Sequence, residues 1–168
     1  MRNKPGQRWA VLLTALTLAT PLVGYELMRI GEGGIIYWNN GNITMSIKLG
    51  TTPILDDGSN FSSSVQAAML QWNAQIANVQ FVGNIAPAGP ATDGGGGNEI
   101  VFSDTVFGKA FGTNTLAVAT SYYSTARRSN GSYRRTQSDI IFNSNRTWNS
   151  YRGSTRVGVH DIRRVAIH

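Results

Sequence analysis

Residues 43–49 alternate apolar and polar, with Ile43, Met45, Ile47 and Leu49 falling on one side, the period of a half-buried strand. Val65, Ala68, Met69, Trp72 and Ile76 then follow at helical offsets. They predict an amphipathic helix over residues 61–76, capped by Ser59 or Asn60. Residues 79–82, 99–103 and 116–123 read as further strands. Ile140-Ile141-Phe142 is an unbroken apolar run within 139–143, the mark of a strand buried on both faces. Between these lie loops at 53–60, at 86–98 with Pro87, Pro90 and four consecutive glycines, and at 124–137, which is polar and arginine-rich. Residues 25–38 are a glycine-broken approach segment ended by the turn signal Asn39-Asn40-Gly41. Asp161 reads as the N-cap of a last helix opened by Ile162, Val165 and Ala166. The order of elements predicts one α+β domain with a mixed sheet.

The first 24 residues stand apart. Arg2, Lys4 and Arg8 precede the apolar run Trp9 to Val23, and the chain turns polar at Tyr25-Glu26. This is the order of a secretory signal peptide, and the run is shorter than the roughly 20 residues of a membrane span. We expect residues 1–24 to be a signal peptide cleaved after Ala19 or near Gly24, and residues 25–168 to be secreted with no stable membrane span.

Composition narrows the chemistry. A chain of 168 residues with 41% hydrophobic residues builds one core. It has no cysteine, which excludes a disulfide scaffold, a thiolate metal site and a cysteine nucleophile. His160 and His168 are its two histidines, so one copy cannot assemble a three-histidine metal site. The net charge of +6 includes the three cations of the N-terminal address. Nine of the other basic residues are arginines between Arg127 and Arg164, opposed there by Asp139 and Asp161 alone. Such a region is a solvated surface or a face for acidic polymers. It has no aromatic platform or recognition-helix pattern, so nucleic acid is not an expected partner.

The stretch Asp161-Ile162-Arg163-Arg164-Val165-Ala166-Ile167-His168 resembles the start of the zinc-binding helix of matrixin-like metallopeptidases, within the metzincin group. Other pieces resemble that family in order. Ile35-Ile36-Tyr37-Trp38 is similar to its leading segment, and residues 42–49 to its first strand. The Ala-x-x-x-Trp pattern ending at Trp72, followed by Phe81, is similar to its first helix and second strand. Residues 98–102 resemble its third strand and residues 115–119 its edge strand. Asp139, Ile140 and Phe142, followed by Trp148, resemble its Asp-Ile-x-Phe segment.

That resemblance implies a zincin-like fold, truncated before its lower subdomain. It implies His168 as the first ligand of a catalytic zinc. The family's motif H-E-x-x-H-x-x-G-x-x-H places two histidines four apart on one helix face, while the glutamate acts as general base. The general-base Glu is expected just after His168, so no catalytic residue lies in this chain and the chain alone is expected to be inactive. Peptide would pair with the edge strand at Leu116, Ala117, Val118 and Ala119. The family's structural-zinc histidines correspond to Val118 and Ile141, so that second zinc is not expected. Calcium stays open as a cofactor, with Asp139 either a calcium ligand or a loop brace. Trp72 and Phe81 read as core, His160 as a loop residue and Asp161 as a helix cap. Sequons start at Asn42, Asn60, Asn130 and Asn145. The expected function is therefore a secreted, monomeric zinc metalloendopeptidase acting on protein or peptide. The alternative is a non-enzymatic secreted binding protein on a degenerate metzincin fold.

Overall fold

The computed structural model describes residues 29–30, 33–51, 54–95 and 97–168. The expected signal peptide lies outside the described residues. The elements in chain order are β1 (Arg29–Ile30), β2 (Gly34–Tyr37), β3 (Gly41–Lys48), α1 (Phe61–Asn73), β4 (Val79–Ile85) and β5 (Asn98–Ser103). There follow β6 (Thr105–Val106), β7 (Lys109–Ala110), β8 (Ala117–Ala119), β9 (Tyr122–Tyr123), β10 (Tyr133–Gln137) and β11 (Ile140–Asn143). The chain closes with β12 (Trp148–Asn149), β13 (His160–Asp161) and α2 (Ile162–Ile167). This is a mixed α+β architecture.

The main sheet has the order β4-β3-β5-β11-β8. Its first four strands are parallel, and β8 joins the end antiparallel to β11. Parallel strands need crossover connections, and α1 supplies one between β3 and β4. The alternation in β3 has the predicted result: Ile43, Met45, Ile47 and Leu49 are all buried. They meet Val65 and Met69 of α1, Ile100 of β5, Phe142 of β11, Trp148 and Ile162 in one core cluster. Each such side chain contributes about 1.5–3 kcal/mol on full burial. Gly83 lets α1 approach β4, because a Cβ there would stand 2.8 Å from Ile47 Cδ1 and 3.1 Å from Met69 Sδ.

A smaller sheet, β1-β2-β10-β9, sits beside the first. Here the structure corrects the sequence reading. Residues 124–137, expected to be an exposed loop throughout, end in β10, which pairs parallel to β2 and antiparallel to β9. Three of its five residues are at least half-buried (Tyr133, Arg135 and Gln137). Arginine at two consecutive positions, 134 and 135, one on each side of the strand, hid that period. The expected strand at 116–123 also divides. Its first part, β8, stays on β11, and its second part, β9, crosses to β10.

Asp139 makes the corner at that crossing. Its Oδ1 accepts from the Glu99 N–H at 3.0 Å, and its Oδ2 accepts from Thr120 Oγ1 at 3.2 Å and Gln137 Nε2 at 2.9 Å. It braces three elements.

Other boundaries move modestly. Helix α1 ends at Asn73 because that side chain turns to β4, accepting from the Phe81 N–H at 2.7 Å and donating to the Phe81 carbonyl at 2.8 Å. Asn60 is the cap, and it forms a reciprocal box with Ser63. Strand β4 runs three residues beyond the expected end, to Ile85. Phe81 packs half-buried against the core, as expected. Trp72 does not: it is 42% exposed. Its indole N–H holds a backbone carbonyl of α2, so the ring lies between the helices at the surface rather than under the sheet. His160, expected in a loop, forms a short parallel pair with Trp148, and the two rings lie 5.8 Å apart.

Candidate functional site: a cleft between an edge strand and a helix end

The last eight residues form a cap and a short helix, as their sequence predicts. Asp161 is extended, and its Oδ1 accepts from the Arg164 N–H at 3.1 Å. Ile162 is fully buried in the core and anchors the first turn. Six residues cannot sustain a helix in water, so packing against α1 holds it. The Trp72 Nε1–H donates to the Ile167 carbonyl at 3.0 Å. Two turns after the cap the helix delivers His168, exposed, its N–H bonded to the Arg164 carbonyl at 3.2 Å.

Between α2 and β8 lies an open cleft of about 590 Å³. Residues 115–119 form one wall, Ile140 lies at the base, and Val165, Ala166 and His168 form the other wall. Leu116, Ala117, Val118 and Ala119, singled out from sequence, are therefore brought together with His168 around one space. Sequence reasoning missed Ile140, Val165 and Ala166 as cleft residues. The helical period did signal the last two, which share a face toward the neighbouring strand.

The register of β8 decides what its backbone can do. Thr120 N–H donates to the Asp139 carbonyl at 2.9 Å, and Asn143 N–H donates to the Leu116 carbonyl at 2.8 Å. In an antiparallel pair, hydrogen-bonded and non-bonded partners alternate. The bonded rungs therefore fall at Leu116, Val118 and Thr120. Ala117 and Ala119, opposite Phe142 and Ile140, are the non-bonded pairs. Their N–H and C=O groups point away from β11, toward the open edge. No strand covers that edge among the described residues. Their side chains are methyl groups, which leave the backbone accessible. Such an edge accepts an added strand.

The charged groups nearby are structural. Burial pushes the Asp139 carboxyl above its ordinary range, and its three hydrogen bonds only partly offset that. For Glu99, burial also pushes upward, but the Lys48 ammonium and the Thr92 N–H outweigh it and hold the carboxyl below its ordinary value. Burial likewise opposes the Asp57 carboxylate, yet hydrogen bonds from Ser59 and Ser150 leave it below the ordinary range.

One imidazole is the metal-binding group that this cleft offers. Among the described residues no cluster of three His, Cys, Asp or Glu could hold a metal ion. His168 fits the role of a single ligand, exposed at the mouth of the cleft, and a zinc site needs more donors than it supplies. Val118 and Ile141, the positions compared above with structural-zinc histidines, stand directly opposite each other on β8 and β11. Both are aliphatic. Among the described residues no helix is long and apolar enough to cross a membrane. No protein-family model, curated protein or solved structure matches this chain.

Proposed function

We propose that the domain is the substrate-binding half of a secreted matrixin-like zinc metalloendopeptidase, with a zincin-like fold, acting as a monomer. One observation carries the reading: the two features that the sequence resemblance assigned to substrate and metal, the edge strand at 116–119 and His168, line the same cleft. A second agrees with it. The family positions that share one structural zinc must be adjacent, and Val118 and Ile141 are cross-strand partners.

In this reading a peptide lies extended along β8. The N–H and C=O groups of Ala117 and Ala119 pair with its main chain and fix its direction. Leu116, Ile140, Val165 and Ala166 exclude water beside it. His168 offers its imidazole at the end of that track, held there by the Asp161 cap and the Trp72 bond. A zinc ion at that place would supply Lewis acidity and an activated water. The remaining ligands and the general-base glutamate are proposed to follow residue 168 in the full-length protein. Calcium is not part of the proposal, since both oxygens of the Asp139 carboxylate are already engaged by the protein's own donors.

The test is hydrolysis of casein by the protein carried through its natural continuation past His168. Chelator-sensitive cleavage that is lost in His168→Ala is the expected result. If peptide binds at β8 but no continuation yields cleavage, the non-enzymatic binding protein is the correct reading.

A further inference from the structure

The small sheet turns a second, differently built face to solvent. Arg29 of β1 stands opposite Ile35 of β2, and Arg134 of β10 stands opposite Tyr37 of β2. Directly paired residues project to one side of a sheet, and positions two apart share that side. Arg29, Ile35, Tyr37 and Arg134 therefore share one face. Arg128 reaches onto it from the β9–β10 connection. Its guanidinium carbon is 5.1 Å from the Tyr37 ring centre, and its Nη1 donates to the Tyr37 hydroxyl at 3.0 Å. The opposite face points inward: the Arg135 guanidinium lies 5.5 Å from the Trp38 ring, and both residues line an apolar cavity under α1.

Arg29 and Arg134 are exposed. Among the described residues, β1, β2, β9, β10 and the 124–132 connection contain no Asp or Glu. Glu32, between β1 and β2, lies outside the described residues. Two acids close by in the fold are already engaged: Asp139 is buried and bonded inward, and Asp93 accepts from the Tyr122 hydroxyl.

We propose that this face binds a linear acidic polysaccharide through Arg29, Arg128 and Arg134. The two outer arginines sit on strands that flank β2, two interstrand spacings across and two residues along, about 12 Å apart. That spacing is sparse beside the roughly 3.4 Å rise between phosphates on one duplex strand, and it suits a polymer charged once per repeating unit. Around Arg128 the polar groups are joined: it donates to the Tyr37 hydroxyl and to Asn39 Oδ1, and Asn130 Nδ2 donates to the Tyr37 hydroxyl at 3.3 Å. The exposed Thr136 hydroxyl matches sugar hydroxyls, which both donate and accept. Guanidinium groups add paired donors for carboxylate or sulfate oxygens. The face offers nucleobases little. Arg128 already covers the Tyr37 ring, and Tyr133, paired with Ile36, projects to the opposite side of the sheet. This inference does not depend on the peptidase reading, because none of its residues lines the β8 cleft.

The test is fluorescence anisotropy of a labelled hyaluronan oligosaccharide, which carries one carboxylate per disaccharide, titrated with the full chain over a salt series, beside a thymidine oligonucleotide of equal charge. Arg29→Gln with Arg134→Gln should lower the salt slope by about 2, one per removed contact, and weaken binding by about tenfold or more. Lys109→Gln with Arg152→Gln removes equal charge from exposed positions elsewhere and should leave affinity within about twofold, as expected for charges outside the contact. Arg29→Lys with Arg134→Lys should retain most of the slope. No hyaluronan binding, equal losses in the two glutamine variants, or oligonucleotide binding as tight as that of hyaluronan would each overturn the proposal.

Discussion

The indole Nε1 of Trp72 donates to the carbonyl oxygen of Ile167 at 3.0 Å. This single bond joins the last turn of α1 to the residue before His168. It explains why a large aromatic ring sits 42% exposed instead of in the core. Both its apolar surface and its N–H are used at the helix–helix seam, where α1 fixes the direction in which α2 ends.

Trp72→Phe keeps most of the ring and removes the donor. A net hydrogen bond is worth about 0.5–1.5 kcal/mol. Amide exchange should therefore accelerate at Ala166, Ile167 and His168, while Ile47, Ile100 and Phe142 in the core remain slow. Equal acceleration in the sheet would mean that Trp72 supports the whole core.

Ala119→Pro tests the edge. The Ala119 N–H points away from β11, so proline deletes a donor that the native sheet does not use, and edge strands tolerate such a change. Thermal stability should fall only slightly. Binding of an extended peptide, read from backbone NMR shifts at residues 116–120, should weaken by about tenfold, one or two lost main-chain bonds. Val118→Pro should behave differently, since its N–H faces β11, and it should destabilise the fold. Unchanged peptide binding in Ala119→Pro would remove the edge from the site.

The carboxylates give opposite contributions to stability with pH. Glu99 and Asp57 have folded values below the ordinary range. Their contribution is present above the unfolded value of about 4 and disappears as pH falls through the folded values. Asp139 has a raised folded value. Its contribution is present below about 4 and is lost as pH rises through the raised value. In urea unfolding across acid and neutral pH, Glu99→Gln should be less stable than the parent at neutral pH and should converge on it in acid. Asp139→Asn should gain relative to the parent as pH rises. Parallel stability curves for all three proteins would contradict these assignments.

Much of the main sheet is written in its period. Ile43 to Leu49 and the 140–142 run announce their strands, and Asn60 and Asp161 announce their helices. The small sheet was illegible because its strands do not announce a buried face. In β10 arginines occupy both sides, and the inner one is stabilised by an aromatic ring that only the fold supplies. The division of 116–123 could not be read either, since it depends on Asp139, a residue nineteen positions beyond Thr120. The cleft was partly legible. Its strand and its histidine were found by resemblance. The outward direction of the Ala117 and Ala119 backbone follows only from register, which local sequence does not set.

The most direct measurement is native mass spectrometry of the protein carried through the segment proposed to follow residue 168, with and without His168→Ala. The account predicts one zinc ion per chain in the parent and none in the variant, with circular dichroism unchanged because the sheet is built upstream of α2. A parent that holds no zinc, or a His168→Ala protein that still holds one, would contradict the assignment of His168 as a zinc ligand and the peptidase reading with it.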